Sequence, residues 1–90
     1  MRIYPILLSK KAIEDIGRLK KENPKYPSKV WELISDIFNN PNDGIGQPEA
    51  LKGDLSGWWS RRITGKHRMI YRIRNNHLEI ASCFGHYYDH

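Results

Sequence analysis

Cysteine is nearly absent from this chain: Cys83 stands alone among 90 residues. No internal disulfide can form, which excludes a small secreted scaffold held by disulfides. The four histidines are scattered at no spacing suited to a Cys/His metal module. No apolar run exceeds three residues, as at Ile6–Leu8, whereas a helical membrane span needs about 20. The opening residues also lack a signal peptide's apolar stretch, so a cytoplasmic protein with no membrane partner is expected. Internal repeats and low-complexity tracts are missing, and 39% hydrophobic residues suffice for one modest core but not two. Residues 1–90 are read as a single domain.

Acidic residues are scarce where basic ones gather. Fifteen Lys and Arg against ten Asp and Glu give a net charge of +5 and a pI of about 9.5. Much of the surplus sits between Arg61 and Arg74, where Arg61, Arg62, Lys66, Arg68, Arg72 and Arg74 occur with no intervening acid. Such clustering favours a polyanionic partner.

The hydrophobic pattern changes period along the chain. Arg2 to Leu8 reads as a strand, placed at a sheet edge because Pro5 cannot donate to the ladder. Ser9 is suited to cap a helix from about Lys10 to Glu22, with Ile13, Ile16 and Leu19 at helical spacing and Asn23-Pro24 as the stop. A second helix opens near Pro27 and buries Val30, Leu33, Ile34, Ile37 and Phe38. It ends at Asn39-Asn40-Pro41, followed by a turn-rich loop from Asn42 to Pro48. From Trp58 the period becomes 2, predicting strands at Trp58–Ile63, His67–Arg74 and His77–Phe84. The expectation is an α+β domain: strand, helix, helix, then an antiparallel meander packed on both helices.

Register follows from keeping the two faces of that sheet distinct. One face carries Trp59, Ile63, Met69, Tyr71, Ile73, Leu78, Ile80 and Phe84; the other carries Ser60, Arg62, Arg68, Arg72, Arg74 and Glu79. A three-residue turn, Thr64-Gly65-Lys66, preserves this separation and sets Arg62 opposite Arg68. Facing like charges repel, so the pair calls for solvent or an anion, and a phosphate is the natural candidate. The turn at Asn75-Asn76 suits positive φ and pairs Arg72 with Glu79, giving Arg72 a structural role.

Metal-dependent nuclease chemistry needs clustered carboxylates, and the second half of the chain offers only Glu49, Asp54, Glu79 and Asp89. Cleavage of RNA without a cofactor requires less, because the 2′-OH is a built-in nucleophile. Glu49 can take its proton, Arg62 and Arg68 can stabilise a phosphorane, and His86 can protonate the leaving oxygen. His67 falls on the apolar face and reads as structural. The alternative reading is a basic RNA- or ribosome-binding module that does no chemistry.

The run from Gly46 to Ile63 (GQPEALKGDLSGWWSRRI), then His67-Arg68-Met69-Ile70-Tyr71 and His86-Tyr87, closely resembles the Txe/YoeB family of toxins within the RelE-like superfamily. The resemblance is strong from Phe38 to Tyr87. It implies a type II toxin–antitoxin ribonuclease that cuts mRNA in the ribosomal A site without metal or other cofactor. By residue-wise match, Glu49 would be the general base, His86 the general acid and Arg68 the transition-state clamp. Lys52, Arg62 and Tyr87 would bind or orient RNA. A cognate antitoxin of the YefM/Phd type and a homodimer are also implied. This chain departs from the family pattern at Phe84-Gly85, where Arg-Tyr is usual, at Ala50 in place of proline, and in continuing through Tyr88-Asp89-His90.

Overall fold

The computed structural model describes residues 3–85. Strand β1 (Ile6–Leu8) leads into helices α1 (Lys10–Glu22) and α2 (Tyr26–Asn39). Strand β2 (Glu49–Ala50), a 3₁₀ turn at Gly53–Leu55, and strands β3 (Trp59–Arg62), β4 (Arg68–Arg74) and β5 (His77–Ser82) follow. Sheet order is β1-β5-β4-β3-β2, with β1 parallel to β5 and the other pairs antiparallel. Both expected helices are present, and β1 is an edge strand as Pro5 required. The segment around Glu49, expected as loop, instead forms the opposite edge strand, pairing Glu49 with Ser60 and Ala50 with Trp59.

Ser9 caps α1 as its position suggested: its Oγ accepts the Ala12 N–H at 2.9 Å and donates to the Ala81 carbonyl at 2.7 Å. The cap therefore also ties the helix start to the sheet. The inward stripe of α1 is displaced from the expected one, because Ile13 is 58% exposed while Ala12, Asp15 and Leu19 are buried. Those residues and Ile16 occupy i, i+3, i+4 and i+7, the true core stripe. It was masked in the pattern by its charged member. Asp15 tolerates burial because it accepts the Cys83 N–H at 3.0 Å and pairs with Lys11 and Arg18.

Helix α2 buries Val30, Leu33, Ile34 and Ile37 against Met69, Tyr71, Leu78 and Ile80 of the sheet. Each such side chain, removed from water, contributes about 1.5–3 kcal/mol. The predicted register holds: Arg62 lies opposite Arg68, and Asn75 and Asn76 adopt φ of 53° and 61°. Arg72 pairs with Glu79 at 2.6 Å and lies 4.0 Å from the centre of the Trp58 ring. A bulge interrupts β4–β5, since Ile70 opposes Ser82 but Tyr71 opposes Ile80, leaving Ala81 extra. Past the bulge Cys83 enters the core, and burial pushes its thiol pKa up to about 12. This thiol is inert packing at neutral pH.

Candidate active site

The helices cover one face of the sheet, so the site must be sought on the other. Alternation places Ser60, Arg62, Arg68 and Ile70 there. Glu49 reaches the same neighbourhood through its pairing with Ser60; residues directly opposed on adjacent strands have Cβ atoms about 5 Å apart. Ser60 is buried, and its Oγ accepts Nε–H of Arg68 at 3.1 Å. A second Arg68 group, Nη2, donates to the Gln47 carbonyl at 3.1 Å. Arg68 is thus only 6% exposed, its guanidinium aimed by two fixed acceptors. Among the described residues these contacts engage two of its five N–H donors.

Lys52 is exposed two residues beyond β2, and a cleft of about 250 Å³ runs past Glu49, Ala50, Leu51 and Lys52. Arg62 is exposed opposite Arg68. A larger groove, about 520 Å³, lies between α2 and the β3–β4 turn and shares Gln47 and Arg62 with the site's rim. The smaller cleft carries Glu49 and Lys52, and strand parity sets Glu49 on the same sheet face as Arg62 and Arg68. The structure therefore brings Glu49, Arg62 and Arg68 together. His86 and Tyr87 lie outside the described residues; the chain leads to them from Gly85, whose carbonyl accepts the Arg68 N–H at 2.9 Å.

The basic run is less available to a partner than its composition suggested. Lys66 pairs with Glu22 at 3.7 Å, and Arg72 and Arg74 both pair with Glu79. Arg61 is fully buried. Its position between Trp59 and Ile63 on the core face was available from alternation alone. Arg61 donates Nε–H to Tyr71 Oη at 2.9 Å, Nη1 to Asp36 at 2.6 Å and to the Ile45 carbonyl at 3.2 Å. Its Nη2 donates to the Asn40 carbonyl and to the Asp43 carbonyl, the latter at 2.6 Å. Burial opposes ionisation of Asp36, but hydrogen bonds from Arg61, the Ile45 N–H and Asn40 outweigh it and hold the carboxyl below its ordinary range.

This network fixes the aperiodic loop that leads to Glu49. Gly46 has φ +82°, and a Cβ there would meet Leu33 at 2.7 Å and the Arg61 side chain at 3.2 Å. The following Gln47 is left-handed as well, with φ 53°, a conformation costing a non-glycine residue about 1–2 kcal/mol. Held strain of this kind points to a functional requirement, and its result is visible: the Gln47 carbonyl receives Arg68.

His67 is wholly buried on the core side, as its parity required. Its Nε2 lies 2.9 Å from Glu22 Oε1, and its Nδ1 accepts the Gly85 N–H at 2.8 Å. The His67 hydrogen bond is the largest cause of a lowered Glu22 pKa, and Lys66 assists.

A family model describing a YoeB-like toxin of bacterial type II toxin–antitoxin systems matches residues 8–87. The chain belongs to the YoeB-like toxins. Toxin YoeB of Escherichia coli K12 is 39% identical over 82 residues, covering 91% of this chain and 98% of that one. Among solved structures, the heterotetrameric YoeB–YefM toxin–antitoxin complex from Staphylococcus aureus superposes with TM-score 0.83 at 41% identity, covering 94% of this chain and 99% of that one. The YoeB dimer from the same organism gives 0.84 at 41% identity, covering 93% and 98%. The YoeB-like fold is accordingly the two-helix, five-stranded arrangement described above. Among the described residues no helix is long and apolar enough to cross a membrane, and no three His, Cys, Asp or Glu side chains cluster as metal ligands.

Proposed function

We propose that this YoeB-like toxin is a metal-independent endoribonuclease that cuts mRNA in the ribosomal A site of the 30S subunit and so arrests translation. The observation that supports the reading is that Glu49 pairs with Ser60, the same residue whose Oγ accepts from Arg68, so that both lie on one face of the sheet, with the guanidinium held by two acceptors. Glu49 takes the proton of a ribose 2′-OH, whose oxygen attacks the adjacent phosphorus. Arg68 and Arg62 neutralise the pentavalent phosphorane. His86 then protonates the departing 5′-oxygen, leaving a 2′,3′-cyclic phosphate and a 5′-hydroxyl. Lys52 and Tyr87 bind and orient the RNA strand.

General acid–base groups contribute about 10²–10⁴-fold each, whereas orienting the reactants contributes roughly 7–11 kcal/mol. Of the described site residues Glu49, Lys52 and Arg62 are exposed side chains that supply little orientation by themselves, so the ribosome is assigned that part. The complex and dimer of the Staphylococcus aureus relatives support a YefM/Phd-type antitoxin and self-association for this chain too. No cofactor enters the scheme, and the cytoplasm is its setting.

Primer extension on mRNA in a purified translation system tests the proposal, using wild type, Glu49→Gln and His86→Gln with and without ribosomes. Ribosome-dependent cuts that vanish in both variants are expected. Ribosome binding without any cleavage by wild type would refute catalysis and leave a binding module.

A further inference from the structure

We infer that His67 is a positioning residue for catalysis, fixing the point from which the chain enters His86 by accepting the Gly85 N–H on Nδ1. The inference rests on the ribonuclease reading and adds a role that neither the sequence pattern nor the acid–base scheme assigned to this histidine.

His67, just before β4, and Arg68, its first residue, hold the Gly85 backbone at both its N–H and its carbonyl. The Gly85 N–H donates to His67 Nδ1 at 2.8 Å, and the Gly85 carbonyl accepts the Arg68 N–H at 2.9 Å. A backbone N–H is an obligate donor, so Nδ1 must be bare. The ring proton then sits on Nε2, where Glu22 Oε1 at 2.9 Å accepts it. Glu22 thereby selects the tautomer that can hold Gly85, the same indirect control by which a carboxylate orients an imidazole in other sites. Gly85 itself has φ +79°, a left-handed turn that suits glycine. The turn redirects the chain just before His86.

Neighbouring groups reinforce the grip. The Phe84 ring centre lies 4.1 Å from that of His67, and the Arg18 guanidinium lies 3.9 Å from the Phe84 ring centre. One residue earlier, Asp15 accepts the Cys83 N–H at 3.0 Å. Residues 83–85 are thus held at three successive positions by α1, His67 and the start of β4. Phe84-Gly85 is the dipeptide at which this chain departs from the family pattern: phenylalanine gives His67 a stacking partner, and glycine gives the turn.

The test compares His67→Asn with His67→Phe. Asparagine Oδ1 takes the place of Nδ1 and still accepts from Gly85; phenylalanine keeps the ring volume and loses the acceptor. On ribosome-bound mRNA at saturating complex, His67→Phe is expected to lower kcat by about 10²-fold with KM nearly unchanged, the scale of a 1 Å misplacement. His67→Asn should recover most of that loss although it abandons Glu22. In wild-type protein, imidazole ¹⁵N NMR should show a bare Nδ1 and a protonated Nε2, a readout that needs no variant to fold. Equal losses in the two variants, no loss in either, or a protonated Nδ1 would overturn the inference while leaving the ribonuclease reading intact. Absence of cleavage by wild type overturns that reading and the positioning role with it.

Discussion

Replacing Arg61 by lysine preserves the charge and most of the stem, yet it should be severely destabilising. Arg61 is fully buried and donates to Asp36, Tyr71 Oη and the carbonyls of Asn40, Asp43 and Ile45. Those five acceptors surround a planar fork; a lysine ammonium has one nitrogen and three donors. At least two charge-assisted bonds must be lost, at about 1.5–3 kcal/mol each, giving about 3–6 kcal/mol. A domain of this size has roughly 5–13 kcal/mol in total at about 0.05–0.15 kcal/mol per residue. The lower figure alone corresponds to a fall in Tm of about 12–24 °C. Urea titration at pH 7 of wild type and Arg61→Lys, fitted with a common slope, measures the difference directly. A loss under about 1 kcal/mol would mean that the fork geometry is unimportant and that charge alone satisfies the loop.

Asp36 gives the same network a pH dependence. Its folded pKa is depressed below the ordinary 3.8, so its contribution is present above pH 3.8 and is lost as pH falls through the folded pKa. The urea midpoint of wild type should drop more steeply than that of Asp36→Asn between about pH 5 and pH 2.5; parallel curves would refute the linkage. Gly85→Ala forces a side chain onto φ +79° and should cost about 1–2 kcal/mol by thermal unfolding, with a neutral result counting against the turn. Arg62→Ala, acting at the proposed phosphate contact, should weaken ribosome binding and lower the slope of log K against log salt by about 1, with cleavage position unchanged. An unaltered slope would remove Arg62 from the RNA surface.

The elements most legible in the sequence were those with strong local chemistry. Ser9 and Asn23-Pro24 bound α1, Pro27 opens α2, and Thr64-Gly65-Lys66 sets the β3–β4 register, each for reasons confined to a few residues. The parity argument also placed Arg62 against Arg68 and His67 in the core. Hydrophobic pattern failed where a buried position is polar. Asp15 hid the core stripe of α1 and made Ile13 look internal, and Arg61 was counted with a solvated basic run. β2 was missed for a different reason: two residues carry no period, and Glu49–Ala50 is a strand only because β3 offers an edge. For the candidate site, the sequence proposed Glu49, Arg62 and Arg68, which strand parity sets on one face of the sheet. It could not show that Ser60 and the Gln47 carbonyl aim Arg68, because those contacts join segments 8 and 21 residues away.

The placement of these polar residues follows from where the chemistry sits. The proposed base, on a two-residue edge strand reached by an aperiodic loop, cannot be held rigid by hydrophobic packing, because neither segment buries enough side chain. Rigidity must come from directional bonds, and a buried guanidinium supplies more of them than any other side chain. Arg61 therefore anchors the loop's carbonyls from below, while Arg68 binds the end of that loop at Gln47 and faces the proposed substrate from above. Successive β3–β4 registers separate the two roles: Arg61 opposes Met69 inside the core, and Arg62 opposes Arg68. One residue of strand parity divides an arginine that anchors the loop from one proposed to meet the phosphate.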